Sequence, residues 1–142
     1  MIEHGPSQVL SVYLIATGVV NLPSNPVWPC FYGQMPALPN QVVSIHDTDG
    51  ILDGREMRGG KTVMHPGWQI RIRSQTENAA QIKGQQICIE LDEILRTTVV
   101  IGAKTYKIQA TRRMSPIIPI GQEEGGARLL FTINGTITYG EV

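Results

Sequence analysis

Between Gly67 and Ser74 the chain alternates without a break, with Trp68, Ile70 and Ile72 on one parity and Gln69, Arg71 and Arg73 on the other. Successive side chains of a strand point to opposite sides, so Gly67–Arg73 reads as a strand with one apolar and one cationic face. Directly behind it, Ser74-Gln75-Thr76-Glu77 fits a capping box, with the Ser74 hydroxyl accepting from the amide of residue 77 and Glu77 reaching back. A helix is expected from about Thr76 to Arg96. Ala80, Ile87, Leu91, Ile94 and Leu95 recur at helical spacing, and Ala79, Ile82 and Ile89 broaden the stripe. Gly84 inside that helix costs on the order of 1 kcal/mol relative to alanine and leaves room for another backbone to approach. This strand–helix unit anchors the expected core.

The rest of the chain is read outward from that unit. A first helix is expected over Ser7–Thr17, capped by Ser7 and stopped by Gly18, with Val9, Leu10, Tyr13 and Leu14 as its stripe. Asn21–Asn40 is proline-rich, and within it Trp28–Tyr32 fits a short edge strand, where a missing ladder amide is tolerated. Gln41–His46 is a strand with Val43 and Ile45 on one face and Val42, Ser44 and His46 on the other. Asp47–Met64, rich in glycine and in both signs of charge, reads as a long loop beginning in an aspartate–glycine turn. Thr97–Ile101 and Lys104–Ala110 form a hairpin across Gly102-Ala103, with Ile101 opposite Lys104, Val99 opposite Tyr106 and Thr97 opposite Ile108; glycine first in the turn suits type II′. Met114–Gly126 reads as a second long loop.

Asn134-Gly135 is a strong hairpin signal. Yet Leu129, Phe131, Ile133, Ile137 and Tyr139 are all odd-numbered, which suits one continuous strand bulged at Gly135, and a parity change there would throw Ile137 and Tyr139 to the other face. The continuous strand is the preferred reading. The expected order is helix, three strands, helix, three strands. That is an α+β fold, an antiparallel-rich mixed sheet with two helices packed on one face, in one domain spanning 1–142.

Composition narrows the partners. The 142 residues balance 12 Lys and Arg against 12 Asp and Glu, whereas a free-standing nucleic-acid binder needs a basic excess to neutralise phosphates. Cys30 and Cys88 form no disulfide framework and read as buried, reduced thiols. The start of the chain has no basic segment leading into an apolar run, and no apolar stretch nears the ~20 residues that span a bilayer. The expectation is a soluble protein made in the cytoplasm, with no membrane partner.

No motif marks a catalytic centre. Asp47-Thr48-Asp49-Gly50 resembles the start of a calcium loop, but the positions that would need an oxygen ligand, a glycine and a closing glutamate hold Ile51, Leu52 and Arg58. His4, His46 and His65 lack zinc-site spacing, and no metal or cofactor is expected. Cys88, flanked by Ile87 and Ile89, reads as core and not as a nucleophile. Asn134-Gly135-Thr136 matches a glycosylation sequon inside an expected strand and is given no weight. Arg71 and Arg73, with Arg112 and Arg113, mark either a phosphate-facing surface or a solvated or intersubunit face.

Three stretches together resemble a known family. Gln34-Met35-Pro36 leads into Val42-Val43-Ser44-Ile45-His46-Asp47-Thr48-Asp49-Gly50; His65-Pro66-Gly67-Trp68-Gln69-Ile70-Arg71-Ile72-Arg73-Ser74 follows; and Tyr106-Lys107-Ile108 precedes Pro116, Pro119-Ile120-Gly121, Arg128 and Phe131-Thr132-Ile133-Asn134. This order, over about Gln34 to Tyr139, resembles the tail terminator proteins of long-tailed bacteriophages, also filed as minor capsid proteins. Asp49 is inserted before Gly50, His46 stands where an aromatic is common, and Arg112-Arg113 and Glu123-Glu124 add charge around the late loop. The resemblance implies a non-enzymatic structural protein at the head-proximal end of the virion tail, assembled in the host cytoplasm. It implies a homo-oligomeric, usually hexameric ring that caps the tail tube, ends its polymerisation and docks the head connector, with DNA only in passage through the lumen. Subunit or tail contacts are expected among Arg71, Arg73, Arg55, Arg58, Lys61, Arg112, Arg113, Glu123 and Glu124, with Arg71 and Arg73 assigned to a subunit contact ahead of the lumen. A head-completion or neck protein is the alternative within this class, and a small ligand-binding or hydrolytic domain the alternative outside it.

Overall fold

In the computed structural model, which describes residues 3–55, 62–122 and 128–141, the alternating segment is the middle of a longer strand. The elements are α1 (Pro6–Thr17), β1 (Cys30–Tyr32), β2 (Val42–Arg55), β3 (Thr62–Ser74), α2 (Glu77–Asp92), β4 (Leu95–Ile101), β5 (Lys104–Arg113), β6 (Ile118–Gln122) and β7 (Leu129–Glu141). The sheet runs β1-β2-β3-β7-β5-β4, with β6 also on β7. β1 joins β2 in parallel and the other pairings are antiparallel. α1 touches both β1 and β4, the two edge strands of that path, so the sheet curls around it.

Both helices lie on the face of Trp68, Ile70 and Ile72, which are fully buried with Val9, Leu10 and Leu14 of α1 and Ala80, Ile87 and Leu91 of α2. Each such large side chain contributes roughly 1.5–3 kcal/mol by leaving water. Gly84 lets a side chain in where the sequence suggested a backbone: a Cβ there would lie 2.8 Å from Ile117 Cδ1. Cys30 and Cys88 are buried free thiols, and burial pushes Cys30 up to about 12.

β7 is continuous through Asn134-Gly135, so Phe131, Ile133 and Ile137 share the core face. Gly135 pairs with Trp68, and a Cβ on it would sit 2.4 Å from Trp68 Cζ2 and 2.4 Å from the Arg112 carbonyl oxygen. The residue with the strongest turn character is thus a socket for the buried indole. The expected bulge falls elsewhere, on β5 at Gln109, where the β5–β7 register shifts between Ile108 and Ala110. The β4–β5 hairpin has the anticipated register, with Gly102 at φ 59° in its turn.

Several boundaries differ from the sequence reading. α1 begins at Pro6, suited to a first helical position, and its N-cap is Gly5 in place of Ser7. The capping acceptor comes from tertiary structure: Ser7 N donates to Asp47 Oδ1 of β2 at 2.9 Å. Ser74 is the last residue of β3, paired with Leu129, so the N-cap of α2 is Thr76, whose Oγ1 accepts from Ala79 N at 3.3 Å. α2 stops at Asp92 because the β-branched run Thr97–Ile101 pairs with β5, and Arg96 takes a φ of 51° at the change of direction. Leu95, placed in the helical stripe by spacing, is a strand residue and 73% exposed; Ile82 and Ile89 are exposed as well.

The two long loops shrink. β2 and β3 remain paired out to Arg55 and Thr62, and register shifts between Thr48 and Ile51 and between Leu52 and Gly54 absorb the turn-like residues. The second loop contains β6, which pairs with β7, so among the described residues four strands follow α2 where three were expected.

Candidate functional site

The side of the sheet away from the helices is polar. Register places His46, Gln69, Asn134, Thr136 and Arg112 on it in neighbouring strands, with Ser44, Arg71 and Thr132 in the next row. Among these register-defined positions there is no carboxylate. Hydrogen bonds knit the face sideways: Arg71 Nε donates to Gln69 Oε1 at 2.8 Å, Gln69 Nε2 to Asn134 Oδ1 at 3.0 Å, and Asn134 N to Ser115 Oγ at 3.1 Å. Ser44 Oγ and His46 Nε2 lie 2.8 Å apart. Burial holds the His46 imidazolium below its ordinary range, with the Arg71 charge adding to that and Asp47 partly opposing it.

One end of this face is covered and the other is open. Arg73 is 2% exposed; its Nη2 donates to the Pro39 carbonyl at 2.7 Å and its Nε to that of Asn40 at 3.5 Å. Arg128 reaches the carbonyl of Ala37 in the same proline-rich segment. Two residues along β3, Arg71 is exposed, as is Arg112 on β5.

The C-terminal end of α2 carries the opposite charge. Glu90 and Asp92 lie in the last turn of α2 and Glu93 is its C-cap, with no basic residue in that turn. Arg113 meets Asp92 with two hydrogen bonds of 2.9 and 2.8 Å, an arrangement that raises the guanidinium further above its ordinary range. Thr111 Oγ1 donates to the Leu91 carbonyl at 2.8 Å. The bulge at Gln109 makes this possible: Tyr106 and Ile108 face the core before it, Thr111 and Arg113 face α2 after it, and Arg112 points outward.

The residues proposed from sequence therefore separate. Arg71 and Arg112 share the open outer face, Arg73 is buried on that face, and Arg113 belongs to the helix side. Arg55 closes β2 opposite Thr62. Arg58, Lys61, Glu123 and Glu124 lie outside the described residues. Sequence reasoning did not single out Gln69, Asn134 or the α2 carboxylates; the parity of β7 put Asn134 on the side opposite Phe131 and Ile133, but only the β3–β7 pairing sets it beside Gln69. The histidines are scattered: His4 Nδ1 is 2.6 Å from Tyr106 Oη, His65 Nδ1 is 2.7 Å from Thr138 Oγ1, and His46 is with Ser44. Among the described residues no group of three or more His, Cys, Asp or Glu could hold a metal ion, and no helix is long and apolar enough to cross a membrane.

Fold and surface define a small α+β protein with exposed arginines on its outer sheet face and a carboxylate cluster at the end of α2 on the other side. A family model described as bacteriophage tail terminator protein matches residues 13–139, most of the chain. The chain belongs to that family, whose members are structural proteins of the phage virion. A protein of the native gene transfer agent (GTA) virion is similar at 11% identity and a TM-score of 0.47, over 79% of this chain and 78% of that one. A second solved structure is similar at 14% identity and a TM-score of 0.43, over 94% and 97%. Both likenesses are distant. No curated protein matches the chain.

Proposed function

We propose that this chain acts in several copies, as a ring that caps the phage tail tube, ends its polymerisation and presents the surface on which the head docks. The observation that carries the reading is the family match over residues 13–139. The surface is compatible with it: the outer sheet face is broad, polar and open at one end, and β4, an edge strand of the sheet, exposes Leu95 and Val100 beside unpaired backbone. Edge strands of that kind pair readily with other chains. Such a protein would sit at the head-proximal end of the tail, with the tube protein and the head connector as neighbours and DNA only in transit.

The test is a phage lacking this chain, viewed by electron microscopy. Overlong tails unattached to heads, restored to normal length and joining by the chain supplied in trans, are expected. Tails of normal length that fail only to join heads would replace this reading with that of a neck protein, and normal infectious particles would overturn both.

A further inference from the structure

We infer that the open cationic end of the sheet, centred on Arg71 and Arg112, docks the acidic C-terminal end of α2, Glu90 with Glu93, in a second copy of this chain. The inference rests on the multi-copy reading above and names a contact through which copies would join.

The formal charge is zero, yet the exposed Arg71 and Arg112 lie on one side of the sheet, while the half-buried Glu90 and exposed Glu93 lie on the other. Arg71 and Arg112 point away from the helices, and α2 packs on the other face of the same sheet. One molecule cannot bring them together, but two can. Contact between two different patches of the same chain is heterologous, so it repeats from copy to copy and closes into a ring where the rotation permits.

The end of α2 supplies a second argument. A helix carries partial negative charge at its C-terminus, so carboxylates there are unfavourable. Asp92 is relieved by Arg113, whereas Glu90 and Glu93 have no cationic partner among the described residues. An incoming guanidinium would offset the carboxylate repulsion and the helix dipole together. Arginine suits this role because its planar fork meets carboxylates bidentately. The Gln69–Asn134–Ser115 row holds Arg71 at the surface in advance, which lowers the entropy lost on docking. Nucleic acid is the competing occupant of a cationic surface, but the neutral total charge disfavours it.

Reciprocal charge reversal tests the pairing by solution mass over a concentration series. Arg71→Glu with Arg112→Glu, and separately Glu90→Lys with Glu93→Lys, should each weaken self-association by roughly 100-fold or more, and added salt should weaken the wild type. Mixing the two folded variants should restore oligomers, because the reversed sheet of one matches the reversed helix of the other. Unchanged association in either variant, or no rescue on mixing, overturns the pairing while leaving the multi-copy reading intact. Intact oligomers that lose retention of a short duplex DNA in the arginine variant overturn it in favour of nucleic acid. A wild-type chain that stays monomeric throughout overturns the multi-copy reading itself.

Discussion

Arg71 and Arg73 are separated by one residue on the same strand and project from the same face, yet they occupy different worlds. Arg73 is sealed beneath the proline-rich segment, donating to the carbonyls of Pro39 and Asn40, while Arg71 stands in solvent tied to one glutamine. The covered end behaves as a second, polar core behind the sheet. The open end is surface available to a partner. Residue type and spacing do not distinguish the two arginines; what lies over them does.

The largest effect sets the scale for that comparison. Ile70, next to Arg71 on the same strand but facing the helices, should cost about 2–5 kcal/mol as Ile70→Ala in chemical denaturation, because it is fully buried. A loss below about 1 kcal/mol would mean the helix face is not the main core.

Next comes Arg73→Met, which keeps the aliphatic stem and removes the donors. About 1.5–3 kcal/mol should be lost, the range for hydrogen bonds made by a charged group. Arg71→Met should stay within about 0.5 kcal/mol, as exposed substitutions do. Equal losses at the two positions would erase the distinction between covered and open ends.

The smallest effect is a pH dependence at His46. Its folded value is held below the ordinary 6.5, so the folded chain binds fewer protons than the unfolded one. The neutral ring's contribution is complete above the unfolded value and is lost as pH falls below it, levelling off once the folded ring also protonates. His46→Gln should flatten stability over that acid window. In an NMR titration Arg71→Met should move His46 only part of the way back, since burial is the larger cause. A full return to the ordinary value would show that the open end is wetter than its packing implies.

Much of this architecture is legible in the amino-acid sequence alone. Parity assigns the faces of β3 and β7, including the passage of β7 straight through Asn134-Gly135, and the position of Gly102 sets the β4–β5 register. These are local periodicities, in which each residue constrains neighbours only a few positions away. The order of small motifs along the chain also points to the tail terminator family, which the match over 13–139 bears out.

Tertiary structure alone decided the rest. Asp47 caps α1 from 40 residues away, and Arg73 is buried by carbonyls 33 and 34 positions earlier. The apolar spacing of Ile94 and Leu95 continues the helical stripe, but pairing of β4 with β5 takes Leu95 into a strand. Glycines and aspartates that read as a loop are absorbed into β2 as irregularities because β3 is there to pair with it. Spacing determines which side of an element a residue faces; which segment then covers that side is a long-range contact, and no local pattern encodes it.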